Sequence, residues 1–254
     1  MTQSPPAPQA ADPTPTPNAF VQEAFTHIRA KDFAAARAVV DRGLGRYPDD
    51  PFVAHAAAHL YTDSGAHQEG ADYLRAFLTS HDPFDRISVH TTWHLADLEL
   101  QLGHGEAALD WHRRVVAPSV GPMTFYSAVT LLWRLVARGH ADSASLRPDW
   151  DVLRTAALTM EPDPLKDVAA AMTFIATGDA AGLAAVRERL AGSAADSKEA
   201  TIAVPLVDAL SAFHQRDYTR TIALLEPLPL DELTPYAEQL TVYEDTLAAA
   251  RATR

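Results

Sequence analysis

The chain has no cysteine among its 254 residues. That removes disulfides, thiolate metal ligands and cysteine nucleophiles together, and it fits a reducing cytoplasm. Positive charge is scarce as well: 21 Lys and Arg stand against 33 Asp and Glu, for a net charge of −12. No basic cluster offsets this locally, so a nucleic-acid partner is not expected. Long apolar runs are missing too. The stretch Phe125–Val136 is short and interrupted, against the ~20 residues needed to cross a bilayer. Phosphate-binding loops, a G-x-S-x-G elbow, a dinucleotide fingerprint and an EF-hand loop are all missing from the sequence. The N-terminus carries neither the cationic nor the apolar segment of a signal peptide. An acidic, soluble, cytoplasmic protein without a membrane span is the expectation.

Proline and periodic alanine and leucine are what the chain does have. Pro5, Pro6, Pro8, Pro13, Pro15 and Pro17 crowd the start, so residues 1–18 read as a disordered Pro-rich tail and 19–254 as the folded domain. Beyond the tail, apolar positions recur at three and four, the signature of helices. Breaks fall at Pro51, Gly65, Gly103, Gly139, Pro164 and Gly178 among others, which gives about a dozen helices of roughly 10–17 residues. Pro205 lies inside one long periodic segment, 198–215, where a kink or a late start is expected.

Residues 17–50, 51–84 and 85–118 share a spacing close to that of the 34-residue tetratricopeptide unit, with small residues, aromatics and a turn glycine in register. Residues 122–254 read as helical but less regular, and 122–191 is not expected to keep the period. The fold class expected is all-α: a right-handed α-solenoid of TPR-like helical hairpins.

Two histidine pairs carry the chemistry. His55 and His59 lie four apart on one expected helix, and His90 and His94 lie four apart on another. Spacing of four places both imidazoles of a pair on one helical face. Asp63 and Asp97 follow each pair and are candidate orienting acids. Both helices are the first of their repeat unit, the position that lines the concave face of such arrays.

The stretches AHAAAHLYTDSGAHQEGADYL and SVHTTWHLADLELQLGHGEAAL, with Trp93 just before His94, resemble the tetratricopeptide-repeat-38-like family. SAVTLLWRL and the C-terminal LLEPL and TLAAA segments are similar to the same family's later helices, so the resemblance runs over roughly 50–250. Relatives are longer on the N-terminal side. The resemblance also implies an acid where Thr62 stands, a histidine where Glu99 stands and another near Ala169, so this chain departs from the pattern there. It implies a fold and no established activity.

Three chemical readings follow from the histidines. They could ligate a divalent metal such as Zn or Fe, act as acid and base with Asp63 and Asp97 orienting them, or, with Arg29, grip a carboxylate or phosphate. Trp93 and Tyr61 are candidate substrate contacts beside them. The leading expectation is a histidine-rich concave pocket for a small polar molecule, with acid–base or metal-assisted chemistry. The alternative is a non-catalytic adaptor that binds a peptide or protein partner in its groove.

Overall fold

Helix boundaries are set by caps. Thr16 accepts a hydrogen bond from the Ala19 amide, and Pro17 occupies the first turn. Asp32, Asp50, Asp163, Ser197 and Asp217 cap later helices in the same way, each satisfying an amide that has no partner inside its helix. A computed structural model describes residues 15–193, 197–234 and 237–253, and every regular element among them is helical. The first three pairs are α1 (Pro17–Arg29) and α2 (Phe33–Arg46), α3 (Pro51–Asp63) and α4 (His67–Thr79), and α5 (Arg86–Gln101) and α6 (Gly105–Trp111). Then come α7 (Phe125–Ala137) and α8 (Arg147–Ala157), α9 (Pro164–Thr177) and α10 (Ala180–Ser193), and α11 (Lys198–His214) and α12 (Tyr218–Leu225), before a last helix α13 (Ala237–Ala252). A π-turn at His112–Val116 prolongs α6.

Two boundaries differ from expectation. The tail expected over 1–18 gives way to helix at Pro17, because a proline at a helix start surrenders an amide that would have been unpaired anyway. Residues 1–14 lie outside the described residues. Pro205 sits within α11, which runs from Lys198 to His214 as one element. Buried Ala203, Leu206, Val207 and Leu210 hold that helix against the lost hydrogen bond.

In each of the six pairs the first helix is followed by a residue in the left-handed region: Lys31, Gly65, Gly103, Gly139, Gly178 and Arg216. Successive spacings are 34, 38, 36, 39 and 38 residues. Helix pairs therefore continue through 122–191, at spacings longer than the 34-residue unit. That drift away from 34 is what a fixed template misses. Four of the six positions carry glycine, which adopts this conformation without a Cβ clash.

Each pair packs on the next. α1 lies on α3, α3 on α5, α5 on α7, α7 on α9 and α9 on α11, with an even-numbered helix behind each step. Close approach is built in at Gly70, where an added Cβ would stand 2.5 Å from the Tyr61 Cβ. α13 breaks the succession. It packs on α12 and turns back to α7, touching α3 and α11. The Tyr126 hydroxyl donates to the Gln239 carbonyl at 2.7 Å, and the Trp133 indole donates to Thr246 at 3.0 Å. Arg134 and Arg138 both bond Asp245, at 2.7 and 2.8 Å. Among the described residues, no helix is long and apolar enough to cross a membrane.

The left-handed turn residues give a direct test of these hairpins. Gly103→Ala, at φ +83°, is expected to lower stability by about 1–2 kcal/mol in urea unfolding. Lys31→Gly, at φ +56°, is expected to raise it by about 0.5–1 kcal/mol. Equal stability of Gly103→Ala and the parent protein would contradict the turn geometry.

Candidate metal centre

α3 and α5 lie side by side, and their histidine faces meet. His55, His59, His90 and His94 each offer a ring nitrogen, and all four nitrogens lie within 4.8 Å of one another. The Nε2 atoms of His55 and His59 are 3.1 Å apart. Ring centroids are 4.4 Å apart for His59 and His94, and 5.0 Å for His55 and His90. At Zn–N lengths of ~2.0–2.1 Å, the nitrogens of a tetrahedral site stand about 3.3–3.4 Å apart. The cluster is thus somewhat wider than a single four-nitrogen cation site.

Burial rises with depth. His55 and His90 line a cavity of about 670 Å³, with His59 beside them, while His94 lies beneath at 0 % exposure. All of residues 91–100 are buried, and several polar side chains there find partners, although the Trp93 indole nitrogen and one Asp97 oxygen do not. Thr91 and Thr92 donate to the carbonyls of Ile87 and Ser88. Asp97 pairs with Arg134, and Glu99 with Arg75 and His104. His94 has no partner on either ring nitrogen, and His90 has none on Nδ1. A buried polar group left this way costs about 1–3 kcal/mol. His55 and His59 hydrogen-bond each other, and aromatic packing adds to the hold on the cluster. Trp93 stacks on His90 at 5.4 Å and abuts His94 at 4.8 Å, and Phe25 from α1 stands edge-on to His59 at 4.9 Å.

Burial also fixes the charge state. It pushes His90 down to about 4, and burial with the neighbouring His90 pushes His55 down to about 3. His59 and His94 fall well below the usual imidazole range, chiefly by burial and then through the other rings. Four neutral imidazoles result at neutral pH. Groups that have already lost their protons are poor general acids, whereas neutral imidazole is the form that ligates metal.

The other expected site residues separate. Arg29 lines the cavity. Asp97 does not orient a histidine, because its carboxylate is taken by Arg134, itself buried and also bonded to Asp245. Asp63, at the end of α3, bonds no histidine among the described residues. Burial pushes its carboxyl up to about 6, with Lys31 pulling the other way. Trp93 is buried behind His90 and is not a cavity wall. Tyr61 faces the opposite side, packed on Tyr73 with the Arg37 guanidinium 5.0 Å above its ring. Its aromatic face serves the α3–α4 seam, as a repeat aromatic would. Glu99 also points away, toward α4, and Ala169 is core. Residues that sequence reasoning missed complete the cavity: Gln22, Phe25, Phe52, Ile87, Met123 and Gln239 among them. For Gln22 and Phe25 a signal existed, since they precede Arg29 by seven and four on one helical stripe. No protein-family model matches the chain.

The neutral state of the histidines gives a pH test. Their folded-state pKa values lie below the unfolded value, so the unfolded chain takes up protons first as pH falls. Stability is then present above about 6.5 and is lost between about 6.5 and 4. The displacement of His90 alone is worth about 3 kcal/mol. Asp63, shifted upward, works against this as a single group. Urea unfolding of metal-free protein at pH 7.5, 6 and 4.5 is expected to show a steep fall. Constant stability across that range would contradict the neutral cluster.

Proposed function

We propose that His55, His59, His90 and His94 bind one divalent transition-metal ion, and that the cavity above holds a small molecule at that ion. The observation that carries this reading is His94: an imidazole at 0 % exposure with both nitrogens unpartnered, aimed into three others. A cation satisfies all four lone pairs in one step and offsets the desolvation cost. Zn and Fe(II) both accept imidazole nitrogen. The metal would supply Lewis-acid polarisation of a bound donor, and the chain's own residues would orient that molecule and shield it from water. Acid–base catalysis by the histidines themselves is disfavoured, since burial leaves them no proton to donate and makes them weak bases.

The chain is further proposed to be a right-handed α-solenoid of TPR-like hairpins, related to the tetratricopeptide-repeat-38-like proteins that its histidine segments resemble. Six stacked helix pairs with a turn residue every 34–39 positions support this. The adaptor reading has less support. An adaptor lays a peptide along the face of the first helices, and α13 already packs against α7 and touches α3 there.

Tag-free protein titrated with Zn²⁺ is expected to bind one ion per chain. At free zinc near 1,000 times Kd the ion stabilises the fold by about 4 kcal/mol, which raises Tm by about 8–16 °C for a chain of this size. His94→Ala and His59→Ala are each expected to abolish the stoichiometric site. Unchanged zinc binding in His94→Ala, or no binding by the parent protein, would overturn the proposal.

A further inference from the structure

We infer that the molecule held in this cavity is a small carboxylate with an apolar body, its carboxylate gripped by Arg29; this rests on the reading of the four histidines as a metal centre. α1 sends Gln22, Phe25 and Arg29 into the cavity, spaced by three and four so that they form one stripe. Phe25 stands at the foot, with ring centroids 5.9 Å from His55 and 4.9 Å from His59. Arg29 follows one turn later, exposed, and no ion pair engages it among the described residues. Its guanidinium is a two-pronged donor that matches a carboxylate.

The opposite part of the wall is apolar. Phe52 is 56 % exposed and Met123 is 65 % exposed, and both line the cavity together with Ile87. Large apolar side chains left open to water around a concave site mark a surface that a ligand covers. The volume of about 670 Å³ falls within the ~300–1,000 Å³ typical of small-molecule sites.

Charge selects the anion. Asp85 is a lining carboxylate, and its side chain does not cap α5. Arg29 balances it among the described lining residues, and a divalent cation on the neutral imidazoles would make the wall net positive. It attracts a carboxylate and opposes an ammonium group. The polar donors beside Arg29 are few (Gln22 and Gln239), the Thr124 hydroxyl being spent on the Ser119 carbonyl, which suits a monoanion better than a phosphate dianion.

The test is isothermal titration of zinc-loaded protein with 3-phenylpropanoate, phenethylamine and acetate, with zinc content measured on the same samples. 3-Phenylpropanoate is expected to bind at least about tenfold tighter than either of the others. Arg29→Met, which keeps an apolar stem, is expected to weaken it by about tenfold or more with zinc stoichiometry intact. Asp85→Asn is expected not to weaken it. Affinity in Arg29→Met equal to the parent, phenethylamine binding as tightly as the carboxylate, or no binding of 3-phenylpropanoate at millimolar concentration would each overturn the inference. Loss of zinc from the parent protein would instead strike the metal centre, whereas full zinc with Arg29-independent binding would strike the carboxylate pocket alone.

Discussion

The packing of α3 against α5 forces four imidazoles into a space where their ring nitrogens lie within 4.8 Å. The proposed metal centre follows from that crowding. Water is scarce there, protonated rings would repel one another, and burial drives each ring to its neutral form. Neutral rings in turn leave lone pairs that few neighbours can use. His94 is the extreme case, with both ring nitrogens unpartnered while Thr91, Thr92 and Glu99 on the same helix all bond. Such unsatisfied buried groups cost stability, which a cation at the proposed metal centre would recover.

The frame around the cluster is stiff in the places where the site needs it. Asp97, one turn beyond His94, is tied to Arg134 of α7, and Arg134 is tied to Asp245 of α13. Removing one member of such a buried ionic set leaves an uncompensated charge, at a cost of about 3–5 kcal/mol. The three helices are thereby locked in one arrangement, and α13 is held where its Gln239 borders the cavity. Trp93 plays the matching role in the core, a flat surface against which His90 stacks. The acids and aromatics nearest the histidines thus fix the scaffold. The cavity itself is lined by α1, α3, the start of α5, the segment before α7 and Gln239 of α13.

The hairpins and the histidine pairs were readable from sequence because both are local. A capping Asp or Ser, a glycine after a helix, and two histidines four apart each act within one or two turns. The meeting of the two pairs also followed, since helices of adjacent units that share a register position must lie side by side. What escaped depends on distant parts of the chain. Nothing near Asp97 shows that Arg134 will claim it, and nothing near His90 shows that Trp93 faces inward while Phe25 of α1 faces the cavity. Tyr61 was ambiguous for a related reason: its neighbour two positions away, His59, points to the site, and one residue of helix rotates a side chain by about 100°. The return of α13 has no local signal at all.

Zinc-edge X-ray absorption on stoichiometrically loaded protein addresses the cluster most directly. A light-atom shell at about 2.0–2.1 Å, with outer scattering from three or four imidazoles, is the expected spectrum. A spectrum with one imidazole or none would mean that the convergence of His55, His59, His90 and His94 does not hold a metal.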